Sequence, residues 1–399
     1  MAPLTPVDAA LALVLGAVRP LGAEPVPVAR AMGRLLAEDV IAAVDLPRFP
    51  SSAMDGFAVR ASDTPAALPV VGRIAAGQPS AVPLAAGSAM GIATGGVVPE
   101  GADAVVPIED VATEGDVVHV PAARVGANVR PAGGDVAGGT VVARAGSPVG
   151  VARLAALAAS GVAAVRCGRR PRVAIVTTGS ELREPGAELR PGEIYESNGA
   201  MLAALFADAG AEVAAIRVVA DDDAAHRDAL SEALATDVVV TSGGVSVGPH
   251  DLVRPTLAAL GVREVFWGVA MRPGKPLAFG TRDSTLVFGL PGNPVSSFVG
   301  AVLFVLPALL ALQGAAEPGP RYLRGRLLAP APPRPGREDF VRALVTPDGG
   351  LNVLERQESH MIVAAAEASA LVRLPQGEVP IPAGAEVGYL RLDVRSTGA

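Results

Sequence analysis

The pattern of apolar and polar positions divides the chain into stretches of different period. Thr5-Pro6-Val7-Asp8 predicts a helix running through Val18. Thr5 is placed to cap it, Pro6 suits its first position, and Asp8 favours its positive end. A second helical segment is expected near 28–36. From about Leu46 to Gly134, short Val/Ala/Ile runs alternate with Gly and Pro, as in VVGRIAAGQP at 70–79. That spacing reads as a small β-rich domain. A helix resumes over 149–160 and is closed by Gly161. Its simplest packing is back onto the first helix, which makes the β-rich piece an insertion in an elongated helical domain.

Between Pro171 and Gln313 the period changes again. Short apolar strands over 173–177, 213–219, 238–241 and 286–290 alternate with helices over 197–209, 224–235, 252–260 and 295–312. Ser197 or Asn198 is expected to cap the first of these helices. The alternation implies a doubly wound, mostly parallel sheet covered on both faces. Ligands of such sheets bind beyond the carboxyl ends of the strands, where strand order reverses. The 295–312 segment reaches the lower limit for a membrane span, roughly 17–25 residues. Its Ser296, Ser297, Gly300 and Pro307, and the strand and Pro-Gly turn before it, read instead as a buried core helix. Beyond Glu317 prolines crowd in and short alternating segments predict a final all-β domain. The expected boundaries are 1–45 with 135–170, then 46–134, 171–317 and 318–399.

Composition supports packed layers. At 399 residues the chain suits two to four domains of roughly 100–200 residues each. Half the residues are hydrophobic but only 3% are aromatic, so small side chains must let helices lie close on sheets. This profile argues against disorder. The net charge of −7 gives no global attraction for nucleic acid or anionic membranes. An anionic ligand therefore needs local cations or backbone amides. Cys167 is the single cysteine, which excludes an intrachain disulfide and a cysteine zinc cage. The four histidines show no metal-binding spacing, leaving a hard cation on carboxylates open. The N-terminus shows no signal-peptide pattern, and a cytoplasmic protein is expected.

Candidate chemistry sits at the strand ends. The turns are Thr177-Thr178-Gly179-Ser180-Glu181, Asp221-Asp222-Asp223, the run from Thr241 to Gly248 followed by Asp251, and Pro291-Gly292-Asn293-Pro294. Parallel strands would bring them to one rim. Backbone amides of Ser242, Gly243, Gly244 and Ser246 can form an anion nest. No Gly-Lys-Ser/Thr follows, so this is not a Walker loop. Glu181, Asp221 and Asp251 beside an anion nest call for Mg²⁺ to reconcile the like charges. Alternatively Asp221 caps a helix and Asp251 sits in a first turn. Arg272-Pro273-Gly274-Lys275-Pro276 brings local positive charge in a stiff loop. Pro294 suits a first helical turn. In the β-rich piece the turns at Asp55, at Thr94-Gly95-Gly96 and from Arg130 to Asp135 read on their own as loops.

The ordered set of motifs resembles the MoeA-type molybdopterin molybdenumtransferases, whose eukaryotic relatives include the C-terminal domain of gephyrin. The matching stretches are LPRFPSSAMDGFAVR at 46–60, ATGGVVPEGADAVVPIED at 93–110 and NVRPAGGDV at 128–136. They continue with TTGSEL at 177–182, TSGGVSVGPHD at 241–251, MRPGKPLAFG at 271–280, LPGNPVSS at 290–297 and QESHMI at 357–362. The resemblance implies a homodimer with four domains per chain, a MogA-like α/β domain and a C-terminal β-barrel-like domain. It implies insertion of molybdate into adenylylated molybdopterin, with Mg²⁺-dependent release of AMP. Glu181, Asp221 and Asp251 are then the acidic group at the metal and pterin site. Asp55, Thr94, Arg130 and Asp135 approach from the partner subunit. Ser246, Arg272, Lys275, Pro291, Asn293 and Pro294 line the ligand pocket, with Arg342 and Ser359 from the last domain. Transient contact with a molybdopterin-adenylating enzyme and with apo-molybdoenzymes is implied as well. The chain departs from the family at Gly268 and Arg272, where many relatives carry lysine. Rival readings are a molybdopterin adenylyltransferase of the MogA type, a tungsten-inserting paralogue and a non-catalytic scaffold.

Overall fold

The computed structural model describes residues 3–244, 252–332 and 334–392. At its centre lies a six-stranded sheet in the order Glu212–Val219, Arg172–Thr178, Val238–Ser242, Thr285–Leu290, Ala278–Arg282, Arg263–Trp267. The first four strands are parallel and the last two antiparallel. The three middle parallel strands are Val/Ile/Leu-rich because helices cover both their faces. One face packs on the helices Val7–Ala17, Asn198–Asp208 and the long apolar helix, the other on Asp223–Ala233 and Val253–Ala259. The last two strands of this sheet escaped the sequence reading. Arg263 and Glu264 in one and Gly280 and Arg282 in the other keep either from writing a continuous apolar run.

The apolar helix spans Pro294–Leu312, and 78% of its most hydrophobic window is buried within the protein. It is a core helix, as the polar and proline residues within it indicated. A wide π-helical turn over Ala301–Val305 precedes Pro307. Such a turn absorbs a residue that lacks an N–H for the regular ladder.

Three local expectations need correction. Thr5 does not cap the first helix. Its N–H donates to the Gly268 carbonyl at 3.0 Å, and its carbonyl accepts from Ala270 N–H at 2.8 Å. The N-terminal segment is thus stitched onto the α/β domain, and Gly268 serves that seam. Gly268 has φ +89°, and a Cβ there would meet Leu4 Cδ2 at 2.9 Å. Near 28–36 only a 3₁₀ turn forms, at Val28–Arg30, because Leu35 and Leu36 are drawn into bridges with Pro148 and Cys167. The helix Val151–Ala159 buries Leu157 in a separate core with Val26, Leu36 and Val149, whereas the first helix buries Val7, Ala10 and Val14 against the long apolar helix.

Around this centre stand two β units. In the region 46–134 the strand order is Ala104–Pro107, Gly56–Val59, Ala89–Ile92, Ala66–Ile74, Val117–Val120, Ala112–Glu114. The C-terminal sheet closes on itself, because Glu338–Val345 pairs with both Gly350–Val353 and Ala370–Leu374. Leu323–Leu327 and Glu386–Arg391 complete the ring. Closure leaves these five strands without a free pair of edges. A sixth, the two-residue strand Met271–Arg272, belongs to the α/β domain yet pairs in parallel with Glu338–Asp339.

The N-terminal domain returns to the centre through Ala23–Pro27 paired with Ala164–Gly168. Here Gly168 abuts the end of the long helix: a Cβ would lie 1.9 Å from the Gln313 carbonyl oxygen and 2.7 Å from its carbon. Backbone cannot yield as a flexible side chain can. Gly168→Ala is expected to destabilise the protein by about 1–3 kcal/mol, the usual cost of overpacking, read as a lower denaturation midpoint.

Candidate functional site

Strand order reverses between Arg172–Thr178 and Val238–Ser242, whose following connections leave in opposite directions. Open α/β sheets bind ligands at such a switch point. Here it is built from small groups in close contact. Gly243 has φ +99°, and a Cβ there would meet the Thr178 carbonyl and hydroxyl oxygens at 2.7 Å. Thr178 Oγ1 is buried without a hydrogen-bond partner among the described residues. Gly244, at φ +63°, lies against Val253. Ser246 and Asp251 lie outside the described residues.

The neighbouring strand end locks onto this one. Ser180 N–H donates to the Asp221 carboxylate at 3.3 Å, and Asp221 N–H donates to the Ser180 hydroxyl at 3.0 Å. Asp221 is not the helix cap. Asp222 has that role, its Oδ1 accepting from Ala225 N–H at 2.9 Å. Glu181 is exposed and its carboxylate folds over Gly179, within 2.8 Å of where a Cβ would stand. Asp221 and Glu181 therefore flank the rim as hard oxygen donors. No cluster of three metal-ligating side chains forms among the described residues.

Sequence reasoning missed Asn198 as a site residue, reading it only as a possible cap. The first free amide of that helix, at Gly199, is taken instead by Glu196 at 2.8 Å. Asn198 Nδ2 is left to donate to Ser242 Oγ at 2.9 Å and to the Gly292 carbonyl at 2.7 Å. The Ser242 hydroxyl also lies 3.3 Å from both the Pro291 carbonyl and the Ser297 hydroxyl. This buried network ties the glycine-rich turn to the Pro291–Pro294 segment.

On the far side of that segment opens a cleft of about 600 Å³ between the α/β domain and the barrel. Arg272, Lys275, Pro291, Asn293 and Ser359 line it. Asn293 Nδ2 donates to Ser359 Oγ at 2.9 Å, and Val295 N–H donates to the Ser359 carbonyl at 3.0 Å, so the two domains meet at this wall. Pro294 starts the buried helix. Arg342 is not among the lining residues. It is 1% exposed and braces the loop carrying Ser359, donating to the Arg356 and Glu358 carbonyls while Gln357 exchanges two bonds with its backbone. Burial pulls its pKa down, with Glu358 opposing. The sequence reading missed Arg334, Arg337, Asp339 and His360, which also line the cleft. For the first three the signal was the R-P-G-R-E-D run at 334–339, obscured by the surrounding prolines; His360 lies within the QESHMI stretch at 357–362.

The remaining candidates stand apart. Asp55 Oδ1 accepts from Thr94 N–H at 2.6 Å and from the Thr94 hydroxyl at 2.9 Å. Those two bonds, the backbone one foremost, hold the Asp55 carboxyl below its usual range. Arg130 pairs across from Ser51, and Asp135 N–H donates to the Leu46 carbonyl at 2.9 Å. No residue of 46–134 lines the cleft of this chain, and neither does Asp135.

A glycine-rich switch point beside an interdomain cleft lined mostly by cations makes a site suited to an anionic ligand. The comparisons with known proteins narrow this class. Residues 5–161 match the MoeA N-terminal region (domain I and II), 174–311 a probable molybdopterin binding domain, and 324–392 the MoeA C-terminal region (domain IV). Molybdopterin molybdenumtransferase 2 of Mycobacterium tuberculosis is 38% identical, over 94% of this chain and 96% of its own. The Haemophilus influenzae molybdopterin molybdenumtransferase is 35% identical, over 90% and 91%. A crystal structure of the molybdopterin biosynthesis moeA protein from Pyrococcus horikoshii OT3 superposes with a TM-score of 0.85 at 31% identity, covering 97% of this chain and all of that one. The chain belongs to the MoeA family of molybdopterin molybdenumtransferases.

Two outcomes follow from this geometry. Asn198→Ala leaves Ser242 and Gly292 without their donor and is expected to cost about 1–3 kcal/mol of stability, measured by chemical denaturation. In Thr94→Val the backbone bond to Asp55 stays and the hydroxyl bond goes. The Asp55 pKa then rises toward its ordinary value, visible in a carboxylate NMR titration. A depressed folded-state pKa gives stability above the unfolded value that is lost as pH falls through the folded one. The acid limb of unfolding should therefore move to higher pH in this variant.

Proposed function

We propose that this chain is a transferase that places molybdenum on molybdopterin, taking adenylylated molybdopterin and molybdate and releasing AMP. The observation that carries the reading is the direct link between a glycine-rich rim and a cationic cleft through one segment, Pro291–Pro294. Gly292 neighbours the glycine-rich turn, and a Cβ on it would be in ordinary contact with the Gly243 Cα at 3.6 Å. A ligand held at the rim would thus extend toward an oxyanion held in the cleft.

Within this reading the amides near Gly243 and Gly244 bind the phosphate groups, and Thr178 offers beside them a hydroxyl that has no partner among the described residues. Arg272 and Lys275 hold molybdate as a dianion, with Ser359 and Asn293 orienting its oxygens. Glu181 and Asp221 fit as two ligands of a Mg²⁺ ion. Among the described residues the Glu181 carboxylate has no partner and the Asp221 carboxylate accepts a single long bond. Bound Mg²⁺ supplies charge neutralisation at the pyrophosphate linkage. Asp55, Thr94, Arg130 and Asp135 are supplied by a second copy of the chain, which makes the working unit a homodimer. The adenylating enzyme and apo-molybdoenzymes are transient partners on either side of the reaction. Location in the cytoplasm suits such partners. The match to the MoeA N-terminal and C-terminal regions favours this reading over an adenylyltransferase confined to the α/β domain.

The test is purified protein with adenylylated molybdopterin, Mg²⁺ and either molybdate or tungstate, scoring AMP release and reconstitution of an apo-molybdoenzyme. Molybdate-dependent AMP release with reconstitution is expected. ATP consumption without reconstitution would sink the proposal in favour of adenylation. Lys275→Met should lower kcat/KM for molybdate by about 10²-fold, the scale of losing one fixed donor to a developing or bound oxyanion.

A further inference from the structure

Asp339 is a carboxylate set inside a cleft whose other lining charges are mostly positive. It is 2% exposed and forms an ion pair with Arg334 Nε. The parallel register places Arg272 opposite it. Arg337 stands two positions back on its own segment, and Lys275 and His360 face the same space from the neighbouring loops. Glu358 is the other acid of the lining, and it is exposed. On the antiparallel side Asp339 meets Leu374, and the adjacent Arg373 is occupied by Glu338 and Asp8.

An ionised carboxylate here competes with the very anion that the arginines and lysine would hold. Molybdate carries no proton at neutral pH, so it cannot donate a hydrogen bond to such a group. Hydrogenphosphate carries one and can. An ionised Asp339 would thus favour the wrong oxyanion, whereas a protonated one offers molybdate an O–H donor. We propose that Asp339 is a proton-coupled specificity residue, which pairs with Arg334 before anion entry and takes up one solvent proton as a fully deprotonated tetrahedral dianion binds. The inference rests on the molybdenum-transfer reading of the cleft. Burial pushes the Asp339 carboxyl up from its ordinary value even against the pull of Arg334, Arg272 and Arg337. The group is therefore already biased toward accepting a proton, and a nearby dianion adds to that bias.

The experiment is calorimetric titration of the full chain with sodium molybdate at pH 8, in buffers of different ionisation enthalpy. The expected result is close to one proton taken up per molybdate in the wild type and in His360→Gln, and none in Asp339→Asn. An amide donates without needing a proton, so Asp339→Asn should bind molybdate about tenfold tighter at pH 8 and hydrogenphosphate about tenfold more weakly than wild type. Binding without proton uptake in the wild type overturns the role of Asp339, as does uptake that disappears in His360→Gln or persists in Asp339→Asn. If Asp339→Asn does not fold, the proton counts of the wild type and His360→Gln decide. Absence of molybdate binding to the wild type overturns the reading of the cleft itself, and this proposal with it.

Discussion

The pairing of Met271–Arg272 with Glu338–Asp339 is the constraint on which the site depends. It is only two residues long, yet it fixes the barrel against the α/β domain and sets Arg272 opposite Asp339. Side chains alternate along a strand, so Glu338 and Asp339 face different ways and do different work. Glu338 takes a bidentate grip on Arg373, which also reaches Asp8 of the first helix at 2.9 Å. The two carboxylates push the Arg373 pKa up. Its guanidinium lies 5.4 Å from the centre of the Tyr322 ring, whose hydroxyl burial pushes up to about 12. One clamp thus gathers the N-terminal helix, the Arg272 loop and the barrel. Asp339, on the other side of the same strand, is free to face the cleft.

Net charge gives no hint of this arrangement, since the chain is acidic overall. Attraction for an anion is local, made by cations placed close together on facing loops. Few of those cations have neutralising partners of their own within the cleft. Asp339 is the buried exception, which is why its protonation state matters more to anion choice than that of the exposed Glu358.

Much of the architecture was legible in the sequence because burial on both faces writes continuous apolar runs. Arg172–Thr178, Val238–Ser242 and Thr285–Leu290 are of this kind. So was the rim, since glycine at a strand end signals backbone that a side chain would obstruct, as Gly243 against Thr178 shows. What stayed hidden was decided by partners distant in sequence. Thr5 looks like a cap until Gly268 and Ala270 take its backbone. Asn198 looks like a cap until Glu196 does the capping and Ser242 and Gly292 recruit the amide. Asp221 looked like a cap too, but in Asp221-Asp222-Asp223 the structure gives that role to Asp222 and leaves Asp221 to Ser180. Local pattern cannot choose among three adjacent aspartates; the packing of the helix chooses.

Rim and cleft share one short segment, and this shapes how a ligand spanning both would be received. The Leu290 carbonyl accepts from Gly243 N–H at 3.0 Å, the Gly292 carbonyl accepts from Asn198, and the Asn293 amide donates to Ser359. Pro294 then starts a helix buried in the main core. Each contact comes from a different part of the fold, and all converge on a backbone with two prolines. Such a segment has little freedom to lose on binding, so the Asn293 amide and the turn at Gly243 are held in place before an anion arrives. Fixed donors favour a small dianion most, because reorientation would otherwise take up much of the interaction. On this view Arg272 and Lys275 supply a nearly invariant field, and discrimination between similar oxyanions falls to the one buried group in the cleft that can change its charge.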